Sequence, residues 1–385
     1  MKPAALLLIA WVCACTAAHG ITDLTFFAVS DVHFGQSSTS KDAHRAAMPE
    51  YLNTLPGRNY PATVGGGVVA NPRGILVPGD LIDFPDARLW AAYAADYGVK
   101  GEGRIRFPVY DGLGNHDYSG SGSLVVSALR TRNRTRTGIS MMDTNSMHYS
   151  WDWEGVHFVQ LNVYSGTVAR GRDPFASYDF LEKDLARNVG SSGRPVFVIQ
   201  HFPMPDTSWW PLTEANRTAA LLKKYNTIAI LHGHTHAPRF YKYQGMDVYD
   251  DGTVMYGDIL VFRITDGKMF VVNRIGNAWG SMLHQKAITM GKADGYDRDS
   301  AQASRPGGFR LAVEGLGVIH SGSQPAVSVE VRSFSGRLVR YLAAEGESLA
   351  WDRRDVRGAP AAPGLYLLRI NAANGSGATQ KVLLR

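Results

Sequence analysis

The chain has 385 residues, of which 45% are hydrophobic and 19% charged, so its composition is that of a globular protein and its length suits two domains. Its 41 glycines follow no three-residue period, which excludes collagen. The formal net charge of +6 is small for this length, so it permits anionic substrates without indicating a nucleic-acid partner.

The first twenty residues predict a secretory signal peptide. Lys2 supplies a positive start, residues 4–12 are apolar, and small residues precede the expected cleavage before Ile21. This apolar run is too short to cross a bilayer, and no other run approaches 18 residues, so we expect no transmembrane segment. Cys13 and Cys15 would both be removed with the signal peptide, which leaves no disulfide. We therefore predict a secreted, periplasmic or cell-surface protein.

Strand-like apolar runs and helical patterns then alternate along the chain. Apolar residues recur at helical spacing in residues 86–97, 179–189 and 213–225, with Thr213 as a candidate N-cap. This alternation predicts an α/β domain, which we place at residues 21–276. The strand-like runs are Leu24–Ser30, Ile75–Pro78, Phe107–Gly112, Gly155–Leu161, Pro195–Gln200, Thr227–Leu231, Val254–Ile264 and Met269–Ile275.

The remaining residues predict a linker and a second unit. Residues 277–309 are polar and rich in Gly, Asp, Ser and Gln, as linkers are. In residues 310–385 apolar and polar residues alternate with a period of two, as at Val327, Val329 and Val331, and glycines recur at turn spacing. This pattern predicts a small all-β sandwich.

Polar residues with metal-ligand chemistry follow five of the predicted strands. In α/β sheets, ligands bind beyond the carboxyl ends of the strands, so these side chains can converge. Carboxylate, amide oxygen and imidazole together suit Mn, Fe or Zn. The five blocks are Asp31-Val32-His33, Gly79–Asp83, Gly114–Asp117, His201 and Gly233–His236.

These blocks, in this order, resemble the calcineurin-like metallophosphoesterases. The family patterns are D-x-H, G-D-x-x-D, G-N-H-D, a lone His after a strand, and G-H-x-H, and each is intact here over residues 22 to 275. The resemblance implies an α/β fold with two sheets in a sandwich flanked by helices. It also implies a phosphate-ester substrate and two metal ions, Mn, Fe or Zn.

Carried over position by position, the resemblance implies a ligand set and a mechanism. Asp80 would bridge the two ions, and a bridging hydroxide would attack phosphorus in line with the leaving oxygen. His116 would donate a proton to that oxygen, with Asp117 orienting it, whereas Asp83 would support the Asp80 loop. The metal ligands would be Asp31, His33, Asp80 and His236 for the first ion, and Asp80, Asn115, His201 and His234 for the second.

Other residues near the blocks leave two interpretations open. Tyr118, Trp209 and Trp210 could contact substrate, but the tryptophans could equally pack their loop onto the following helix. His232 is expected to pack against or support the ligand loop, and His148 and His157 to be core or edge residues. The alternating arginines from Arg130 to Arg136 favour a solvated loop or edge strand over a nucleic-acid patch, because no aromatic residues separate them.

The C-terminal unit resembles the Ig-like C-terminal modules of secreted bacterial proteins, such as flagellar hook-cap proteins and type IX secretion sorting domains. Trp351-Asp352 and residues 363–366 (PGLY) carry the most specific part of this pattern. The resemblance implies sorting or cell-surface attachment, so we expect this module to engage secretion or cell-surface machinery.

The sequence thus predicts a secreted dinuclear metallophosphoesterase, a phosphomonoesterase or phosphodiesterase. A non-catalytic metal-dependent binding protein on the same fold is one alternative, although it would have no need of His116. A nuclease is the other, and only the Arg130–Arg136 run suggests its basic groove.

Overall fold

The computed structural model describes two compact units, divided at residues 296–297, and each is described by itself. The predicted signal peptide, Tyr118, Trp209 and Trp351-Asp352 lie outside the described residues. No helix in the described part of the chain has the length and apolar character needed to span a bilayer. The described residues are 23–64, 66–117, 123–166, 177–206, 208, 210–265, 267–290, 310–314, 317–321, 326–333, 338–343, 354–355, 359–372 and 377–384.

The first unit contains two mixed sheets. One has six strands in the order β13-β12-β11-β1-β2-β3, and the other has seven in the order β4-β5-β6-β7-β8-β10-β9. The strands are β1 (Leu24–Ala28), β2 (Ile75–Val77), β3 (Val109–Asp111), β4 (Ile139–Met142), β5 (Tyr149–Trp153), β6 (Val156–Gln160), β7 (Val196–Ile199), β8 (Thr227–His232), β9 (Arg239–Tyr243), β10 (Met246–Asp250), β11 (Asp258–Thr265), β12 (Lys268–Ile275) and β13 (Ala278–Ala287).

Parallel pairing joins the strands that precede the motif blocks. Strands β1, β2 and β3 are parallel in the first sheet, as are β6, β7, β8 and β10 in the second. Of these strands, β1, β2 and β7 are buried at every position, which explains why each is an almost continuous apolar run. Their carboxyl ends therefore present the following loops at one edge of each sheet.

Aromatic side chains fill the space between the two sheets. Phe26 stacks on Phe262 of its own sheet at 4.9 Å between ring centroids. It meets Phe158 and Phe197 of the other sheet edge-to-face at 5.2 Å each. The next residue, Phe27, belongs to the cluster on the other side of the strand. Alternate residues of β1 thus bury both faces of the first sheet.

Five α-helices accompany the sheets in the described part of this unit. The helices predicted around residues 86–97, 179–189 and 213–225 are confirmed, and a π-helical turn at Leu185–Val189 extends the second of them. Thr213 does not cap its helix as expected, because the helix begins one residue earlier with Pro211 at the cap position and no side-chain cap bond. The helices are α1 (Thr39–Asn53), α2 (Ala87–Asp96), α3 (Ser123–Asn133), α4 (Ser177–Asp184) and α5 (Leu212–Leu222).

The start of the expected linker is a strand instead. Residues 278–287 form β13, which pairs antiparallel with β12 at the edge of the six-stranded sheet. Its sequence mixes apolar and polar residues, and the described side chains are exposed or half-buried, as suits a strand at the edge of a sheet. The strand predicted at Val254–Ile264 begins later than expected: residues Val254–Tyr256 form a 3₁₀ turn, and β11 starts at Asp258.

The expectation of a solvated loop or edge strand at Arg130–Arg136 is wrong. Arg132 belongs to α3, and the side chains of Arg132 and Arg136 are 9% and 2% exposed. Both pair with Asp111, the fully buried last residue of β3, and Arg132 Nε lies 2.8 Å from its Oδ2. The Tyr93 hydroxyl donates to the same carboxylate at 2.9 Å. Two of the four arginines thus neutralise a buried carboxylate and are withdrawn from any basic surface.

The second unit is built from β-strands in its described residues. A hairpin pairs two strands, and four antiparallel strands form a sheet in the order β17-β16-β18-β19. This agrees with the period-two alternation at Val327–Val331, which lies in β16. The strands are β14 (Arg310–Glu314), β15 (Gly317–Ser321), β16 (Ala326–Ser333), β17 (Leu338–Ala343), β18 (Gly364–Ala372) and β19 (Gly377–Leu384).

Candidate metal centre

The motif residues lie in the loops that follow five strands, as the sequence predicts. Asp31 and His33 follow β1, Asp80 follows β2, and Asn115 and His116 follow β3. The loop after β7 carries His201, and the loop after β8 carries the remaining two histidines of the G-H-x-H block. The hydrogen bonds and ion pairs below show that the two sheets bring these loops to one place.

Five of these residues have backbone conformations that L-residues rarely adopt. Their φ angles are positive, between 47° and 71°, and each such residue costs about 1–3 kcal/mol in backbone strain. Asp and His are among the residue types that tolerate this region best. Such strain is typical of functional sites. The five are Asp31, His33, Asp80, His234 and His236.

Two glycines of the motifs allow close approach of another loop and are not needed for a left-handed turn. Neither Gly114 nor Gly233 has a positive φ. A Cβ at Gly114 would instead overlap the carboxylate of Asp80, and one at Gly233 would overlap that of Asp31. These glycines therefore let another loop's carboxylate approach the backbone closely, and the ligands themselves adopt the strained turns.

The first donor group consists of Asp31, His33 and His236. His236 Nε2 lies 3.0 Å from Asp31 Oδ1 and 3.3 Å from His33 Nε2. His33 Nε2 lies 3.7 Å from Asp31 Oδ1 and 3.5 Å from Asp80 Oδ2. The three donor atoms lie within 4.8 Å of one another, which is close enough to hold one metal ion.

The second donor group consists of Asp80, His201 and His234. His201 Nε2 lies 3.1 Å from Asp80 Oδ2 and 3.2 Å from Asn115 Oδ1. The Asp80 carboxylate thus contacts His33 of the first group and His201 of the second. This is the position that a bridging carboxylate requires.

Electrostatics in this cluster favour cations. Burial raises the pKa of Asp31, but hydrogen bonds from His236 and His33 outweigh it, so the pKa lies well below its usual range. Burial also opposes ionisation of Asp80, yet the charge of His201 lowers its pKa. Burial lowers the pKa of His201, and the Asp80 carboxylate reverses this and raises it to about 9. Both buried carboxylates are therefore ionised, and they hold a proton on His201 where a metal ion would compete with it.

Asp83, rather than Asp117, contacts the imidazole of His116. His116 Nδ1 donates to the backbone oxygen of Asp83 at 2.8 Å and lies 3.3 Å from its Oδ1. The Asp117 carboxylate is fully buried and accepts from the backbone N–H groups of Leu81 at 2.9 Å and Gly114 at 2.7 Å. The predicted roles of the two carboxylates are thus exchanged: Asp117 joins the loops after β2 and β3, and Asp83 orients His116.

His116 is itself near the metal ligands. Its side chain is 38% exposed, and it forms a third donor group with His33 and Asp80. The rings of His33 and His116 meet edge-to-face at 4.6 Å. A group that is both accessible to solvent and adjacent to the donors is placed to contact a ligand bound there.

The remaining sequence candidates among the described residues are buried. Trp210 is fully buried and its ring packs 5.6 Å from that of Tyr164, so it belongs to the core and not to an accessible substrate surface. His148 is a buried core residue, as expected, and contacts Asn162. His157 is also buried, but it is held between two carboxylates, which the sequence did not indicate.

His232 supports the ligand loop, as expected. It is fully buried, and burial lowers its pKa to about 3, so the imidazole is neutral. Its Nδ1 lies 2.7 Å from the Gly233 oxygen and its Nε2 lies 2.9 Å from the Tyr241 hydroxyl. Sequence reasoning missed Tyr241, and it missed Asp206, whose Oδ2 lies 3.7 Å from His234 Nε2. Neither stands in a motif, so no local signal could have identified it.

The donor set fits Mn, Fe or Zn. It combines two buried, ionised carboxylates with imidazoles and one amide oxygen, which is the mixture these ions accept. Buried charges need a charged partner or a metal, and the ion-pair partners of Asp31 and Asp80 are themselves histidines of the cluster. The residues present therefore suit a metal centre.

Comparison with known proteins agrees with this geometry. Residues 24–238, more than half of the chain, match the family described as calcineurin-like phosphoesterase. No curated protein sequence matches the chain. Among solved structures, the fold is similar to GAP50, the anchor in the inner membrane complex of Plasmodium, with 12% identity, coverage of 72% of this chain and 92% of that chain, and a TM-score of 0.50.

Weaker likenesses are to two hydrolases. Phosphopantetheinyl hydrolase from Mycobacterium tuberculosis is 14% identical, with coverage of 61% of this chain and 91% of that chain and a TM-score of 0.36. The 5′-nucleotidase from Candida albicans is 9% identical, with coverage of 62% and 47% and a TM-score of 0.34. The match over residues 24–238, which contains every motif block, shows that the chain belongs to the calcineurin-like phosphoesterase family.

Proposed function

We propose that the protein is a dinuclear metal-dependent hydrolase that cleaves phosphate esters. The observation that carries this proposal is the convergence of all five motif blocks, with Asp80 in contact with both donor groups. Asp31, His33, Asp80 and His236 would hold one ion, and Asp80, Asn115, His201 and His234 the other. Two divalent ions supply four positive charges, which bind phosphoryl oxygens and make water a stronger nucleophile at neutral pH.

The protein's own residues orient the ester and supply the proton. Water adds to phosphorus as the bond from phosphorus to the leaving oxygen breaks, and the leaving oxygen then needs a proton. Because the Asp83 carbonyl accepts from His116 Nδ1, that nitrogen keeps its hydrogen and the ring is held in one orientation. When the ring carries a second proton, that proton is on Nε2, and it is the one that passes to the leaving oxygen while Nδ1 keeps its hydrogen; a positioned acid in this role contributes about 10²–10⁴-fold.

Secretion and a role for the second unit are part of the same proposal. The expected signal peptide supports export to the periplasm, cell surface or medium. The family match ends at residue 238, and the five motif blocks all precede residue 237, so in this proposal residues 310–385 contribute no catalytic residue. We assign those residues to sorting or attachment, as their resemblance to Ig-like modules of secreted proteins implies.

A metal and substrate panel tests the proposal. Chelator treatment should abolish hydrolysis of nitrophenyl phosphate, and adding Mn, Fe or Zn should restore it. Mono-, di- and pyrophosphate esters assayed on the reconstituted protein would define the substrate class. Turnover that survives chelation would refute metal dependence. Full metal loading without turnover would instead favour the non-catalytic binding protein, and salt-dependent cleavage of DNA would favour the nuclease.

Metal content of a variant tests the bridging assignment. Because Asp80 contacts both donor groups, Asp80→Ala should empty both sites together, as measured by elemental analysis of the purified protein. Asp179→Ala, which removes an exposed carboxylate on α4, is the matched control and should keep both ions. Two ions retained by Asp80→Ala would overturn the bridging role.

A further inference from the structure

A chain of hydrogen bonds links the loop that carries His201 to the loop that carries His234. The Met204 N–H donates to the Tyr241 hydroxyl at 3.0 Å, and this hydroxyl lies 2.9 Å from His232 Nε2. Tyr241 lies on β9, which pairs with β10 beside β8. One side chain from the edge of the sheet thus contacts the loop after β7 and the last residue of β8, from which the loop that carries His234 begins.

The direction of every bond in this chain can be assigned. The Gly233 carbonyl oxygen only accepts, so His232 Nδ1, 2.7 Å away, must carry the hydrogen. His232 Nε2 then has a lone pair and accepts from the Tyr241 hydroxyl. The Tyr241 oxygen in turn accepts from Met204 N–H. The hydroxyl therefore both donates and accepts a hydrogen bond, and a phenylalanine at this position could make neither bond.

Burial makes this chain important to the position of the loops. Met204 and His232 are fully buried, so loss of the hydroxyl would leave a backbone N–H and a ring nitrogen without their partner. Two further contacts join the same loops: Gly233 N–H donates to the His201 oxygen at 3.2 Å, and Asp206 lies beside His234. The two loops are thus joined by several contacts, and in the contact made by Tyr241 the bonding side chain comes from outside both loops.

We infer that Tyr241 is a positioning residue that sets the separation of His201 and His234, and hence the affinity of the metal site they form with Asp80. This inference rests on the proposed function, because it assigns Tyr241 a role in the second metal site. Tyr241 acts through His232 and the Met204 backbone and does not itself ligate. Groups that hydrogen-bond directly to metal ligands typically change metal affinity by about 10–100-fold, and Tyr241 acts one residue further from the ligands, so we expect an effect at the lower end of that range.

Calorimetric titration of metal-free protein with Mn²⁺ well below the unfolding temperature tests this. Tyr241→Phe should weaken one of the two Mn²⁺ binding steps by about 10-fold and leave the other unchanged. Tyr243→Phe is the matched control, because its hydroxyl is on the same strand but bonds to the exposed Asn216, and it should bind Mn²⁺ like the wild type. A purely structural hydroxyl would lower the unfolding temperature of Tyr241→Phe and leave its Mn²⁺ affinity unchanged.

A double-mutant cycle shows whether Tyr241 acts through His232. In a His232→Leu background, Tyr241→Phe should cause a smaller loss of Mn²⁺ affinity than it does in the wild type, because the bond to His232 is already absent and only the bond from Met204 N–H remains to be lost. Wild-type affinity in Tyr241→Phe, or fully additive losses in the double variant, would overturn the positioning role. If the wild type bound no Mn²⁺ at all, the proposed function would fail and this inference with it, whereas Mn²⁺ binding that is indifferent to Tyr241 refutes this inference alone.

Discussion

The buried pairing of Arg132 and Arg136 with Asp111 predicts a large loss of stability when one arginine is removed. Arg136 is 2% exposed and donates to the Asp111 carboxylate, the Val109 oxygen and Asn133 Oδ1. Arg136→Met keeps the length of the side chain and removes all of these bonds. The fully buried Asp111 carboxylate would then depend on Arg132 and Tyr93.

The expected cost follows from the kind of interaction that is broken. Removal of one partner from a buried ion pair costs about 3–5 kcal/mol, because the other charge stays buried and loses compensation; here Arg132 and Tyr93 still compensate part of the Asp111 charge, which places the cost toward the lower end. For a domain of this size, each kcal/mol lowers the unfolding temperature by about 2–4 °C, so Arg136→Met should unfold roughly 6–20 °C below the wild type. Scanning calorimetry or thermal circular dichroism on the full chain measures this shift.

Arg134→Met is the control for that experiment. Arg134 is exposed, and its Nε donates to the Ser146 hydroxyl at 3.1 Å, so its loss should change stability by only about 0.5 kcal/mol. If the two variants unfolded at the same temperature, Arg136 would be a surface residue and the buried cluster would be refuted. Because Asp111 is the last residue of β3, Arg136→Met should also weaken metal binding by the following loop, which carries Asn115.

Two further predictions concern single histidines. His116→Ala should keep both metal ions and lose about 10²–10⁴-fold in turnover, with a larger loss for alkyl esters than for nitrophenyl esters, whose leaving group needs little protonation; steady-state kinetics on both esters checks this, and equal losses would mean that His116 stabilises phosphate charge instead. For His157, burial lowers the pKa, but the carboxylates of Asp152 and Asp184 outweigh burial and raise the pKa above 6.5. The ion pairs of protonated His157 therefore stabilise the fold fully below about pH 6.5, and this stabilisation is lost as the pH rises through the raised pKa. Urea unfolding of the wild type and His157→Gln should therefore differ most at acidic pH and converge at alkaline pH, and a difference that grew with pH would contradict the ion pair.

The sequence predicted the strands and the ligand loops well because both depend on local signals. A strand buried on both faces needs a nearly continuous apolar run, and the runs that became β1, β2 and β7 are of this kind. The strands that were not predicted include β9, whose residues are exposed or half-buried, and the edge strand β13, whose sequence mixes apolar and polar residues. Their pairing is decided by neighbours distant in sequence, so periodicity alone does not identify them.

Partners across long sequence separations explain the remaining errors. Asp117 follows His116 directly, which made it the natural candidate to orient that imidazole, yet the turn sends its carboxylate to the backbone of Leu81 and Gly114. Asp83, 33 positions away, takes its place. From the sequence alone Arg136 is expected to be solvated, but in the fold its guanidinium pairs with Asp111. In each case the residue type indicated a polar or charged role, but the sequence did not indicate which residue would be the partner.

The strained backbone of the candidate site and its buried charges belong to one physical problem. Five motif residues have positive φ, and Asp31 and Asp80 are ionised without exposure to water, so the folded chain holds strain and buried negative charge in the same loops. The loops cannot relax separately, because Asp31 accepts from the His234 backbone at 2.9 Å and Asp80 from that of His116 at 2.9 Å. Each carboxylate therefore fixes a loop from another strand as well as facing the donor groups. Substitution of either one removes a metal ligand and a loop contact together, whereas Tyr241 offers a way to shift the loops while every proposed ligand remains in place.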